Sequence, residues 1–345
     1  MTPRIALDAM SGDHGPSIVV PAALQVLSEQ EELHLILVGD EAILKQELAR
    51  QSTTRVMHQR LSIHHAGQKV EMDEPPSHAL RYKKDSSMRV AINLVKQDMA
   101  DACVSAGNTG ALMATARYVL KTLAGIDRPA IITALPNMLS TCTHVLDLGA
   151  NVDATAEHLF QFAVMGAVLT NAVDNIPNPR IGLLNIGQEE IKGNERVKEA
   201  ARLLASSSGI NYVGFVEGDD IYKGTVDVVV CDGFVGNVSL KTTEGVAQMI
   251  SHYVKQGFNQ NLWTRFAAVI SLPIIKSLSR KIDPRRYNGA SLLGLRGIVI
   301  KSHGSADTLS FTFAIREALV EVRKNVPARI SNQLTTLLSE RRRVG

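Results

Sequence analysis

Five short turns rich in Gly, Ser, Asn and Asp each follow an apolar, β-branched run of this 345-residue chain, and together they carry the groups suited to holding an anion. The first, Asp8-Ala9-Met10-Ser11-Gly12-Asp13-His14-Gly15-Pro16, follows Ile5–Leu7. Glycine lets backbone N–H groups approach a ligand, and Pro16 suits the first turn of a helix. The second, Ser105-Ala106-Gly107-Asn108-Thr109-Gly110, joins a buried strand to a helix, whose unpaired N–H donors and positive dipole end favour phosphate. The third runs from Asn185 to Asn194 and hangs one lysine, Lys192, from a strand end. The fourth, Cys231-Asp232-Gly233-Phe234-Val235-Gly236-Asn237, opens another helix, and the fifth, Lys301-Ser302-His303-Gly304-Ser305-Ala306-Asp307, lies again between strand and helix. Each alone is ordinary turn and cap chemistry. Five of them on strand-to-helix corners of one sheet point to a site.

The elements that must position these turns follow from periodicity. Strands are expected at Ile5–Leu7, Leu33–Val38, Ala102–Ser105, Ala130–Ala134, Thr143–Leu148, Ile181–Ile186, Tyr212–Val216, Val226–Cys231 and Ile298–Lys301. Several are apolar on both faces, as in a largely parallel, covered sheet. Helical patterns at Glu41–Arg50, Ala91–Met99, Thr109–Leu120, Ala156–Asn171 and Val197–Ser206 alternate with them. The alternation predicts helices on both faces of the sheet and catalytic loops at the carboxyl ends of its strands. No linker, repeat or low-complexity tract divides the chain, so 1–345 reads as a single α/β/α catalytic domain. A helical pattern from Val238 runs to about Phe258, and 258–286 then reads as an amphipathic tip: Leu262–Ile270 is apolar, Pro273 interrupts it, and Lys276, Arg280, Lys281, Arg285 and Arg286 follow. Ala328–Val344 predicts a terminal helix ending in Arg341, Arg342 and Arg343.

Composition narrows the classes. Lys and Arg number 37 against 34 Asp and Glu, a net charge of +3, and aromatics are 4%, so neither wholesale nucleic-acid binding nor a base-stacking platform is expected. Cys103, Cys142 and Cys231 are too few and too scattered for a disulfide framework or a zinc site. The N-terminus meets Asp8 too early for a signal peptide, and Phe266–Ile275 is too short to span a bilayer, which predicts a cytoplasmic protein. Neither a G-x-G-x-x-G fingerprint nor a P-loop is present. A G-x-S-x-G elbow and an H-E-x-x-H motif are also lacking, and the adjacent His64 and His65 point to opposite faces of a strand. Nucleotide, serine-hydrolase and metal chemistry therefore lose their usual carriers, and no metal is expected.

Taken in order, DAMSGDHGP, SAGNTGALMA, NIGQEEIKGNE, CDGFVGN and KSHGSAD resemble the bacterial phosphate acyltransferases of phospholipid synthesis over nearly the whole chain. Ser11 stands where that family more often has glycine, a change expected to matter only where a positive φ is needed. The resemblance implies a three-layer α/β/α sandwich related to phosphotransacetylases and to isocitrate/isopropylmalate dehydrogenases, a homodimer, and no nicotinamide or other cofactor. It implies conversion of acyl-[acyl-carrier-protein] and orthophosphate to acyl-phosphate, which a membrane acyltransferase uses to acylate glycerol 3-phosphate.

Orthophosphate is largely a dianion at neutral pH and needs little activation. The site must hold it and stabilise the tetrahedral oxyanion. Lys192 is expected to supply charge, Asn237 and Asn108 to donate hydrogen bonds, and Gly12, Thr109, Gly110, Gly233 and Gly236, with Gly107, to shape the phosphate cradle. Asp8 and Asp232 either touch substrate or order loops as caps; His303 either protonates the departing thiolate or caps a helix. Cys103 or Cys231 would allow a rival acyl-cysteine route, although packing is the favoured reading for both. Trp263, Arg265, Phe266, Ile270, Lys276, Arg280 and Lys281 suit either a dimer helix with a solvated basic flank or a tip lying on the membrane near the glycerol-3-phosphate acyltransferase. The same cations would dock an acidic carrier protein. Two other functions compete: a phosphotransacetylase-like enzyme using acyl-CoA, and a non-catalytic membrane-associated scaffold, which has no need of five polar turns.

Overall fold

Short β-branched runs ending in polar turns, alternating with capped amphipathic stretches, build one mixed sheet between helical layers. The computed structural model describes residues 2–51 and 59–344, side chains at 278–280, 282 and 338–344 excepted. Arg280, Arg341, Arg342 and Arg343 therefore lie outside the described side chains. The first half contains β1 (Arg4–Asp8), α1 (Pro16–Glu29), β2 (His34–Gly39), α2 (Glu41–Ala49), β3 (Leu61–His65), α3 (Pro76–Tyr82), α4 (Ser87–Lys96), β4 (Ala102–Ser105) and α5 (Thr109–Leu120). There follow β5 (Ala130–Pro136), β6 (Cys142–Leu146), α6 (Ala156–Asp174), β7 (Ile181–Leu184), α7 (Glu195–Ala205), β8 (Tyr212–Val216), α8 (Asp220–Lys223) and β9 (Val228–Val230). Two long helices, α9 (Gly233–Phe258) and α10 (Leu262–Ile282), precede β10 (Ala290–Leu293), β11 (Ile298–Lys301), α11 (Thr308–Lys324) and α12 (Val326–Val344).

The strand order is β3-β2-β1-β4-β11-β10-β5-β6-β9-β7-β8. One parallel block, β3-β2-β1-β4-β11, meets a second, β6-β9-β7-β8, through antiparallel pairings of β10 with β11 and β5 and of β5 with β6. The two blocks thus run in opposite directions. This corrects the expectation that all five turns share one edge: those after β1, β4 and β11 leave one edge, and those after β7 and β9 leave the other. The reversal comes from the antiparallel pairing of β5 with β6; β10, a four-residue strand not expected from the sequence, is antiparallel to both neighbours and so leaves β11 and β5 running the same way.

Alternation along each strand sets the layers. Ile5, Leu7, Val104 and Ile300 pack with α1 and α11 on one face, while Ala6, Cys103 and Val299 pack with α4 and α5 on the other. In the second half, Leu146, Val228, Val230 and Leu183 pack with α6, α7 and α12. Side chains of Asp40, Ser86, Asn108, Thr155, Asn194, Asp232, Asn261 and Asp307 each accept an N–H from the first turn of the helix they precede. Such caps fix where the turns end and the helices begin. Pro273 does not end α10, which runs through it. A helical proline removes one hydrogen bond and bends the axis, and the flanking turns keep theirs.

Candidate active site

The turns after β1, β4 and β11 form one cluster. Asp8, Ser105 and Lys301 end their strands in register, Asp8 opposite Ser105 and Ser105 opposite Lys301, so their side chains lie in a row on one face. The Ser105 hydroxyl donates to Asp8 Oδ2 at 2.6 Å and the Gly107 N–H donates to Ser105 Oγ at 3.1 Å. Asp8 is fully buried, and burial pushes its carboxyl up against the lowering effect of facing hydroxyls. Its Oδ1 has no hydrogen-bond partner of good geometry, nor have the buried hydroxyls of Ser11 and Ser87 that face it. Asp8 is therefore an interior group rather than a loop cap.

Gly12 adopts φ of +83°, and a Cβ there would meet Ala106 Cβ at 2.9 Å and the Gly304 carbonyl at 3.1 Å. Ser11, in contrast, is absent from the positive-φ positions, so its departure from glycine carries no backbone strain. The Asp13 N–H donates to the Gly304 carbonyl at 2.9 Å, and Ser302 N–H to the Ser105 carbonyl at 2.9 Å. Asn108 caps α5 by accepting the Ala111 N–H, and its amide donates to the carbonyls of Met72 at 2.6 Å and Glu74 at 3.3 Å. The donors expected to face substrate are thus occupied in holding the 72–74 loop. Thr109 and Gly110 are exposed on the first turn of α5, Gly110 lying where a Cβ would meet Pro76 at 2.8 Å.

His303 does not cap a helix; Asp307 caps α11. The imidazole is exposed, its Nδ1 accepts the Ser305 N–H at 3.2 Å, and its backbone N–H donates to Asn288 at 3.0 Å. Partial burial, then the cations Lys241 and Lys301, hold it below the usual imidazole range. A neutral imidazole is a poor proton donor at neutral pH.

The second cluster surrounds Asp147, which the sequence reading passed over. Its Oδ1 accepts the N–H groups of Ile131 at 2.9 Å and Ala150 at 3.1 Å, and its Oδ2 accepts the backbone and amide of Asn151 at 2.6 and 2.8 Å. Burial still pushes this carboxyl up, with those bonds opposing. The start of α9 packs on this loop: Gly233 N–H donates to the Asn151 carbonyl at 2.8 Å, and a Cβ on Gly236 would sit 1.9 Å from the Asp147 carbonyl oxygen. Asp232 serves as the α9 cap, accepting the Val235 N–H at 2.9 Å. Asn237 is exposed beside Gly149, and its amide makes no hydrogen bond among the described residues.

Lys192 stands apart, in the loop after β7. Its ammonium pairs with Glu189 at 3.0 Å, and Gly187 lies against its stem. Asn185 Nδ2 donates to the Lys192 carbonyl at 3.1 Å and fixes the loop.

Helix α9 links the clusters. Asn237 faces Gly149, and Lys241, one turn or about 6 Å further along, acts electrostatically on Lys301 and His303. Thr243 meets the Tyr222 hydroxyl of α8, which begins with Asp220, a partner of Gln188. Helix α9 is thus tied to the fourth turn directly, to the fifth through Lys241 and to the third through α8. Lys241 and Lys301 complete the cation set; Lys301 lay inside a quoted turn, whereas nothing in the local pattern around Lys241 marks it. Cys103 and Cys231 are buried, and burial drives both thiols well above their ordinary range; Cys142 is pushed up to about 11. Inert thiols weigh against an acyl-cysteine intermediate. Among the described residues, no group of three or more His, Cys, Asp or Glu side chains is arranged to hold a metal.

The α/β fold is shared with a phosphotransacetylase from Streptococcus pyogenes (TM-score 0.63, 18% identity, 93% of this chain and 94% of that one). A 4-hydroxythreonine-4-phosphate dehydrogenase from Klebsiella pneumoniae shares it more distantly (TM-score 0.52, 14% identity, 93% and 100%). The family profile described as fatty acid synthesis protein matches residues 3–329. The phosphate acyltransferase of Nitrosococcus oceani is 62% identical over 340 residues, 99% of each chain. The chain belongs to this phosphate acyltransferase family and is an acyltransferase.

Proposed function

We propose that the chain transfers a fatty acyl group from the thioester of an acyl carrier protein to orthophosphate, releasing acyl-phosphate and the free carrier. The observation that carries this reading is the start of α9, where Gly233 and Gly236 close on the 147–151 loop, Asn237 is exposed, and Lys241 acts on Lys301 and His303. That arrangement suits a dianionic nucleophile and a developing oxyanion, and it supplies no activated side-chain nucleophile. Family membership supports phosphate as the acceptor. Lys192 contributes charge, Asn237 donates to the oxyanion or phosphate, and Gly233 and Gly236 let the α9 start close onto the 147–151 loop.

Lys192→Ala and Asn237→Ala should fold normally and lose on the order of 100-fold in orthophosphate-dependent acyl-phosphate formation, read as hydroxamate after hydroxylamine trapping. Near-wild-type rates would remove them from the mechanism. Running acyl-carrier protein and acyl-CoA side by side separates this reading from a phosphotransacetylase-like one, and no product from either donor would defeat both.

The tip gives the proposed location and partners. Trp263, Arg265, Phe266, Ile270, Lys276 and Lys281 are exposed on α10, as are the apolar residues Val246, Met249, Ile250 and Tyr253 of α9. These faces support a homodimer along α9 and a peripheral membrane contact through α10, near the enzyme that consumes acyl-phosphate. Among the described residues no helix is long and apolar enough to cross a membrane.

A further inference from the structure

Lys301 is a buried lysine on an otherwise apolar strand. Residues Ile298, Val299 and Ile300 precede it with almost no exposure, and Lys301 itself keeps only 9% of its surface. Its ammonium donates to the carbonyl of Ser302, next to the turn that carries His303. Across the sheet it continues the row Ala6–Cys103–Val299 by two residues, standing beside Ser105, which stands beside Asp8. A lysine placed inside a sheet costs desolvation that a surface residue avoids.

We infer that Lys301 gives the departing carrier thiolate its proton. This rests on the acyl-thioester reading above. A phosphate oxygen forms the C–O bond to the thioester carbon. As the tetrahedral intermediate collapses, the C–S bond breaks and its electron pair leaves on sulfur. The thiolate takes a proton from Lys301 Nζ, and the resulting amine recovers one from the P–OH of the new acyl-phosphate. HPO4 dianion and thioester enter; acyl-phosphate dianion and thiol leave. The groups facing Lys301 suit the task. Burial brings its pKa down to about 8, Asp8 of β1 and Asp13 of the following turn oppose that fall, and Lys241 of α9 adds to it. An ammonium near that value loses its proton far more readily than a solvated lysine, and an alkyl thiol has a similar affinity for it. His303, kept neutral by the same two lysines, is left as a hydrogen-bonding neighbour.

The test uses full-length protein and two donors of one acyl chain: an alkyl thioester (acyl-N-acetylcysteamine) and the thioester of 4-nitrothiophenol, whose thiolate leaves without a proton. Lys301→Met should lose on the order of 100-fold in kcat with the alkyl donor and far less with the aryl donor. Wild-type kcat on the alkyl donor should fall above about pH 8, and the residual rate of Lys301→Met should be flat there. Lys301→Arg keeps the charge but holds its proton too tightly, so it should behave like the methionine variant; it also serves if Lys301→Met fails to fold. Equal loss on both donors, or an arginine variant with wild-type rates, would overturn the inference and leave acyl transfer to phosphate intact. A wild-type protein that makes no acyl-phosphate even from acyl-carrier protein would remove the functional reading and this inference with it.

Discussion

Gly236 has no room for a side chain. Its missing Cβ would lie 1.9 Å from the Asp147 carbonyl oxygen and 2.9 Å from Cys231 Sγ, and neither neighbour is a flexible chain end. Gly236→Ala should therefore push α9 off the Asp147 loop and cost more than about 3 kcal/mol, lowering Tm by many degrees in a thermal melt. An unchanged Tm would mean that the two segments do not sit against one another. The fourth turn marked Gly236 in the sequence as a phosphate-shaping residue, and the structure shows it in close packing. Asp147 shows the opposite case. It follows an apolar run like many strand-end acids, and only the folded chain brings Ile131, Ala150 and Asn151 to its two oxygens. Local composition shows which residues suit a turn, but not which carboxylate will gather donors from three segments.

At the scale of elements, the nine expected strands all exist, because each is a β-branched run ending in turn residues. β10 escaped notice because Ala290–Leu293 is short and follows a Tyr-Asn-Gly turn with no alternation to mark it. The reversal of the second block, set by the antiparallel pairing of β5 with β6, was equally hidden, since strand direction is a property of pairing and not of any one segment. Helix α10 was legible in outline, with its apolar face, basic flank and proline. Ile270, 66% exposed, carries the prediction. Ile270→Glu should abolish co-sedimentation with anionic liposomes while leaving acyl-phosphate formation from a soluble donor intact, since a charge in the interface opposes insertion. Undiminished sedimentation would reassign the α10 face to a second copy of the chain.

Across the whole molecule, acids outside the candidate site are buried as well. Glu321 on α11 is fully enclosed beside Glu317 and Ser291, its Oε1 unpartnered, and burial pushes its carboxyl up to about 8. Glu317 is raised too, chiefly by burial, with His144 opposing and Asp174 adding to the rise. The folded chain holds a proton on Glu321 that the unfolded chain releases near its ordinary value of 4.5. Stability from this group is thus complete below that value and drains away as pH climbs to about 8. Glu321→Gln, neutral at every pH, should raise Tm by several degrees at pH 8 and by little near pH 5. An equal gain at both would mean that the carboxyl titrates normally.

The pairing of β11 between β4 and β10 also sets an order of events for a chain being made on the ribosome. Asp8 and Ser105 are synthesised early, yet the strand that stands beside them emerges only after residue 301 has been joined. The amino-terminal segments must wait with one sheet edge open, a pairing of very long sequence separation that closes slowly and invites mispairing while it is open. A chain cut short anywhere before β11 would leave β4 without the neighbour that sets Lys301 beside Ser105.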